Sequence, residues 1–456
     1  MERIRGALFG VARVLKKPHV LPILTAFAVG ILLVTRGLEG LIFIAVLPLV
    51  MYVTKLRDHN RKTVLWVFYT TGVIICGFAN YFLFEVSPSN WTMELSGAVR
   101  FLAPFVSWLL ICAFCSLSFL LLGYALYAVR NNRYRLALLP FAFACAELIR
   151  SYLYAVMAYG PHGSLSPNFN WGSLAVIASG TPLVYASRVV GFFGLTVLVL
   201  LGSVALYMLL QKQYSRAALM VLGVLLIAGV GRALQPKSTV ADTLKIKVVG
   251  LASDQDLTSW PQSEWPEQGT DLLVLPEYSE FTSNEQYRQI LARLSDKGMA
   301  ITTVREGRSP RATNRLIILN RQGEVVSAQD KSFLIPTGET LPYSLRAVFK
   351  LTGNTDLIRD FDYIQQLKTG DHHETVYSNG SFSVGALACS GVSALSEYSR
   401  LSKEGADVLV NSASLSFLLP DSRYHVYARN MARFQSASTG KPFVQASRSG
   451  DSYTFD

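Results

Sequence analysis

Residues 217–251 read AALMVLGVLLIAGVGRALQPKSTVADTLKIKVVGL, and the chain changes character within them. As far as Leu234 the run is apolar and free of acidic side chains. After Gln235-Pro236-Lys237-Ser238 the apolar residues come in short β-rich runs, beginning with Leu244 to Leu251. Roughly 20 consecutive apolar residues are needed for a helix to cross a bilayer. The junction therefore predicts a helical membrane domain over 1–235 and an α/β domain over 236–456.

Working back toward the N-terminus, further long apolar runs lie at 18–36, 38–54, 63–85, 104–128, 135–157 and 192–210, giving about seven expected spans with 217–234. The stretch 174–187 is also apolar and is expected to be re-entrant. The 456 residues carry a net charge of +11, a value that invites a nucleic-acid reading. Split at 235, the first part holds 19 basic and 6 acidic residues and the second 23 and 25, so the basicity belongs to the apolar half. A nucleic-acid reader concentrates cations on a soluble face, and that class is excluded. Fourteen of the 19 cations sit in the N-terminal tail and the loops at 55–62, 129–135 and 211–216. Short cytoplasmic loops are the ones enriched in Lys and Arg, so residues 236–456 are expected on the extracytoplasmic side.

Working forward, strands are expected at 244–251, 271–275, 299–304, 314–319, 382–388, 407–411 and 442–446, with a hairpin turn at 321–324 and an amphipathic helix over 422–438. Alternating strands and helices imply a layered α/β domain. Four of the five cysteines, Cys76, Cys112, Cys115 and Cys145, lie in apolar runs and read as core residues; no disulfide framework, metal spacing or cofactor motif emerges. Cys389 alone remains in the second half. It follows a strand, as does Glu277, and Lys331 stands in the Asp330-Lys331-Ser332-Phe333 segment. A thiol, an ammonium and a carboxylate suffice for acyl transfer: the thiolate forms a thioester, the cation steadies the oxyanion and the carboxylate moves the proton. Singly, each has a bland reading as a turn, surface or core residue.

The ordered set resembles the nitrilase superfamily of carbon–nitrogen hydrolases, with Lys331 54 residues after Glu277 and Cys389 58 after Lys331. It is most similar to the membrane branch, the apolipoprotein N-acyltransferases. The similarity extends through Pro336-Thr337-Gly338-Glu339, Gly405 to Asn411, the His425–Arg433 helix, Thr439-Gly440-Lys441-Pro442 and, in the apolar half, Glu147-Leu148-Ile149-Arg150. The resemblance implies an αββα nitrilase-like sandwich in a bacterial inner-membrane protein. It makes Cys389 the nucleophile, Glu277 the general base, Lys331 the oxyanion and thiolate stabiliser and Glu339 a supporting carboxylate. A phospholipid donates the acyl chain and a diacylglyceryl-cysteine lipoprotein accepts it; no metal or cofactor is implied. Ser390 is taken as a substrate contact, and an apolar cleft is expected near Phe333, Leu334, Phe417 and Leu418. Departures are Ser390-Gly391 where the family has Tyr-Glu, Phe417 for Trp, Gln435 for Glu, and an end at Asp456 ahead of the family's final strands and last span. An amidase using water as acceptor and a catalytically silent lipid-binding homologue remain open at this point. His425 reads as a packing residue, and Glu147 and Arg150 as a pair neutralising each other across one turn or lining a polar cleft.

Overall fold

The computed structural model describes residues 19–86, 97–235, 243–252, 257, 260–279, 285–419 and 422–455. The basic N-terminal tail and 236–238 of the expected junction lie outside them. Chain contacts define two units: one gathers residues up to Leu83, Pro104–Tyr154 and Phe169–Leu234, the other Phe84–Ala103, Ala155–Asn168 and everything from Gln235. Two segments from within the apolar half thus group with the C-terminal unit, which the single cut at 235 does not anticipate.

The first unit is helical, the form in which a chain satisfies its backbone without water. Its helices are α1 (Val20–Val34), α2 (Ile42–Thr54), α3 (Arg61–Ala79), α4 (Gly97–Cys115), α5 (Leu117–Ala128), α6 (Arg135–Ala158), α7 (Leu174–Ser179), α8 (Ser187–Leu210) and α9 (Tyr214–Ala233). Among the described residues five stretches are long and apolar enough to cross a membrane: Arg61–Ala79, Pro104–Ala128, Arg135–Ala158, Pro182–Leu210 and Tyr214–Ala233. The expected spans at 18–36 and 38–54 are shorter apolar helices, Val20–Val34 and Glu39–Thr54. The 174–187 stretch is the short α7 and a 3-10 turn that runs into α8, which bends at Gly191 where φ is +69°. Helices α3 and α5 pack by exchange of large for small. A Cβ on Gly72 would stand 2.8 Å from Phe119, and one on Gly123 would stand 2.9 Å from Phe68. Each ring needs the missing side chain opposite it.

Glu147 and Arg150 do not form the expected ion pair. The Glu147 carboxylate instead accepts from Ser173 Oγ at 2.6 Å, from Thr196 Oγ1, and from the Leu174 N–H at 2.7 Å, so it caps the start of α7. Arg150 is buried. Cys76, Cys112 and Cys115 are buried as expected, whereas Cys145 lies on an exposed face of α6.

The second unit is two stacked sheets with helices outside. The first sheet has the order β1 (Ile246–Val248), β3 (Thr270–Val274), β4 (Leu294–Glu306), β5 (Thr313–Asn320), β6 (Val325–Asp330). The second runs β11 (Tyr453–Phe455), β10 (Phe443–Arg448), β9 (Val408–Ser414), β8 (Ser383–Ala388), β7 (Val376–Ser378), with β2 (Gly250–Leu251) also on β10. Strands β1, β3 and β4 are parallel, as are β8, β9 and β10. Strands buried on both faces read as continuous apolar runs, as Leu272 to Val274 of β3 and Val408 to Val410 of β9 do, whereas the second half of β9 is buried but polar. Between the sheets Leu272, Val274, Ile301 and Ile318 meet Val384, Ala386, Val410 and Val444. Outside the first sheet, Tyr287, Ile290 and Leu291 of α10 (Glu285–Leu291) pack on Leu273 and Leu275. Outside the second lie α13 (Glu397–Lys403) and α14 (Tyr424–Thr439), with Tyr398 edge-on to Phe443 at 5.0 Å. A helical hairpin, α11 (Tyr343–Leu351) and α12 (Thr355–Ile364), projects between β6 and β7 in the chain. The expected αββα sandwich is what is found.

Candidate active site

Two strands, one from each sheet, deliver the thiol and one carboxylate. β8 stops at Ala388, and Cys389 takes φ +45°, a left-handed conformation uncommon for a residue with a Cβ and frequent at functional turns. The turn Cys389–Ser393 is held from α14: Gln435 Nε2 donates to the Val392 carbonyl at 2.9 Å and the Ala394 carbonyl at 3.0 Å, and Tyr427 is 3.0 Å from Ser393 Oγ. Beyond β3, Glu277 follows Pro276, and its N–H donates to the Ala413 carbonyl at 3.1 Å. Tyr278 then turns away with φ +59°.

Lys331 follows β6, its N–H bonded to the Asn314 carbonyl at 2.8 Å. Its ammonium lies 2.8 Å from Glu339 Oε1 and 3.4 Å from Glu277 Oε1, with the lysine side chain 2% exposed. Glu339 is fixed by its own tight turn, accepting from the Ile335 N–H at 2.9 Å while its N–H donates to the Ile335 carbonyl at 2.8 Å. Glu277 completes its shell with Asn314 Nδ2 on Oε1 and the Ser414 N–H on Oε2 at 3.0 Å. The Cys389 thiol donates to the Ser414 carbonyl at 3.5 Å, so the Ser414 backbone joins the thiol to the Glu277 carboxylate. Glu277, Lys331, Cys389 and Glu339, spread over 113 residues of sequence, therefore meet in one buried cluster.

Burial pushes the Cys389 thiol well above its ordinary value, and the Glu277 charge adds to this against the opposing pull of Lys331. Burial likewise raises the Glu277 carboxyl, with Lys331 opposing and Glu339 adding to the rise. For Lys331 burial works against the charge, but Glu277 and Glu339 overcome it and hold the ammonium well above the usual lysine range. At neutral pH the resting arrangement is a protonated thiol beside a carboxyl of raised basicity and a fixed cation. Such a thiol needs a base to become a nucleophile, and Glu277 is the carboxylate that shares the Ser414 backbone with it.

Ser390 donates its hydroxyl to the Phe333 carbonyl, which ties the turn after Cys389 to the loop after Lys331. Leu418 is buried and pairs with Val86 across an isolated bridge, and Leu334 packs with Ala312 and Leu367. Phe333 and Phe417 are half-buried. Phe417 and Leu418 follow Ser414, whose backbone touches both Glu277 and Cys389. His425 is buried at the start of α14. Sequence reasoning gave no role to Asn314, Tyr278 or Ser414. Asn314 joins Glu277 to the Tyr278 hydroxyl, 3.2 Å away. The one signal for it was a polar residue opening an otherwise apolar strand. Among the described residues no cluster of His, Cys, Asp or Glu could hold a metal ion.

Residues 204–455 match the model of the carbon-nitrogen hydrolase family. The chain belongs to that family. Residues 25–205 match the apolipoprotein N-acyltransferase N-terminal domain, so the two matches tile nearly the whole sequence and bear out the resemblance to the membrane branch. Similar relatives are the apolipoprotein N-acyltransferases of Allorhizobium ampelinum and Agrobacterium fabrum. The first is 24% identical over 365 residues, 71% of this chain and 63% of the relative; the second is 27% identical over 241 residues, 46% and 43%. The chain thus spans less than two thirds of the length of the curated relatives it matches. Among solved structures, a carbon-nitrogen hydrolase from Helicobacter pylori G27 aligns at 16% identity with a TM-score of 0.27, over 39% of this chain and 61% of that one. An amidase from Nesterenkonia sp. aligns at 17% and 0.25, over 40% and 64%.

Proposed function

We propose that this hydrolase-family chain is an acyltransferase of the bacterial inner membrane, moving a fatty acyl chain from phospholipid through a thioester on Cys389 to the N-terminal amine of a diacylglyceryl-cysteine lipoprotein. The observation that carries the reading is a thiol at a left-handed turn, joined through the Ser414 backbone to Glu277, which in turn lies 3.4 Å from the Lys331 ammonium, in a chain whose other half is apolar helix. Glu277 takes the thiol proton, the sulfur attacks the ester carbonyl, and Lys331 balances the charge that gathers on its oxygen. The C–O bond breaks, and Glu277 returns the proton to the departing lysophospholipid oxygen. In the second half the amine attacks the thioester, Glu277 takes its proton, and the thiol is released as the amide forms. Glu339 keeps Lys331 in place throughout. A thioester is a reactive acyl carrier that an amine attacks readily, which suits a route from ester to amide.

Phe333 and Phe417 are the side chains we assign to the donor's acyl chain, which contributes about 0.8 kcal/mol per buried methylene. Ser390 acts through the Phe333 carbonyl it holds, and Leu418 by packing beneath the same loops. The charge asymmetry of the loops supports an extracytoplasmic position for residues 236–456. The test is transfer: the purified chain incubated with phospholipid and a diacylglyceryl-modified peptide should give an N-acylated peptide, and Cys389→Ala should give none. Release of free fatty acid at the same rate with and without peptide would replace the acyltransferase with a hydrolase.

A further inference from the structure

The helical hairpin α11–α12 exposes apolar side chains that its own fold leaves uncovered. Leu351 at its tip is 88% exposed, Tyr363 79%, Tyr343 52% and Val348 41%. The hairpin is not loosely held: Arg346 forms a two-pronged ion pair with Asp362 and donates to the Leu341 carbonyl at 3.1 Å, and Phe361 is fully buried. The exposed side chains are therefore presented by a built element. A cluster of this kind on a rigid element marks an interaction surface.

Its attachment says what kind. Tyr343 N–H donates to the Tyr159 carbonyl at 2.8 Å, Ser344 Oγ donates to the Met157 carbonyl at 2.8 Å, and the Tyr159 and Tyr343 rings lie 5.8 Å apart. Met157 is in the last turn of α6, a helix long and apolar enough to span a membrane, and Tyr159 follows its end. Tyrosines gather where a span meets the headgroups, so α11 starts at that level. Nine residues rise about 14 Å, which keeps the whole of α11 close to the interface. Lys350, Arg359 and Asp362 border an open groove beside Ile358 and Tyr363, and Arg359 is paired with Asp356 at 3.2 Å, so the hairpin's charges balance and its apolar side chains are what it offers a lipid surface.

From this we infer that the α11–α12 hairpin docks on the phospholipid surface, with Leu351 and Tyr363 seated at the boundary between headgroups and acyl chains. The inference concerns lipid contact and stands independently of the acyl-transfer chemistry. The experiment places a nitroxide at Leu351→Cys or Tyr363→Cys in the full chain, in a Cys145→Ser, Cys389→Ala background, reconstituted in phosphatidylcholine–phosphatidylglycerol nanodiscs. Gln322→Cys, at the exposed β5–β6 turn, is the aqueous reference. Collision with oxygen relative to a water-soluble nickel chelate should be several-fold higher at 351 and 363 than at 322. A ratio equal to that at 322 would place the hairpin in water. Low collision with both reagents would mean a protein covers it. Either result overturns the inference. Leu351 is so exposed that its replacement removes no packing, so a folding failure does not obscure the reading.

Discussion

Replacing Glu277 by Gln separates proton transfer from architecture, because the surroundings of the two carboxylate oxygens differ. Oε2 accepts one bond, from the Ser414 N–H at 3.0 Å, while Oε1 faces both Asn314 Nδ2 and the Lys331 ammonium. A glutamine must turn its amide nitrogen toward one set of donors. Turning it toward Ser414 loses one bond and keeps two, and leaving that buried N–H unsatisfied costs about 1–3 kcal/mol. Lys331 remains neutralised by Glu339 at 2.8 Å, so no isolated buried cation is created and the variant is expected to fold. The thiol, however, loses the group that takes its proton. A positioned general base contributes about 10²–10⁴-fold, and acylation of Cys389 by phospholipid should slow by that factor, measured as single-turnover thioester formation by intact mass. A folded Glu277→Gln variant that acylates within about tenfold of the parent rate would refute the assignment of Glu277 as the base.

Other outcomes follow from the same geometry. Gln435→Glu replaces an amide that donates to the Val392 and Ala394 carbonyls with an acceptor in a buried position; it should destabilise the chain by about 2–4 kcal/mol, read as a lower denaturation midpoint, whereas an unchanged midpoint would show that the turn does not rely on those bonds. The Cys389 thiol is raised above its ordinary value by burial, so its protonated form dominates at neutral pH. Its alkylation by a small reagent in the substrate-free protein should climb roughly tenfold per pH unit across neutral and mildly alkaline pH, and a plateau near neutrality would contradict this.

The sheets were legible because their strands are short apolar runs bounded by turn residues: 271–275, 314–319, 382–388 and 442–446 each fall within about a residue or two of β3, β5, β8 and β10. The strands that escaped, β6, β7 and β11, are short or polar at the sheet edges, where burial leaves little pattern. The hairpin helices α11 and α12 escaped as well, since with few residues buried their apolar positions read as loop. At the site, Glu277, Lys331, Cys389 and Glu339 were found through the resemblance, not through spacing. What that could not supply was the surrounding shell. Asn314, Ser414 and Gln435 act through backbone groups and side chains more than 30 residues away, and only the folded chain brings those together. Of the two arrangements expected for Glu147 and Arg150, a direct pair across one turn does not form, for the same reason: Ser173, Leu174 and Thr196 on other elements claim the carboxylate.

The most direct test of the account is the mass of the protein itself. After incubation with a phospholipid of defined acyl chains and no acceptor, the chain should carry one acyl group on a peptide containing Cys389. That group should be released by hydroxylamine, transferred on adding a diacylglyceryl-modified peptide, and absent from Cys389→Ala. Amide formation on the acceptor peptide with no adduct ever detectable at Cys389, and undiminished in the alanine variant, would contradict the thioester route.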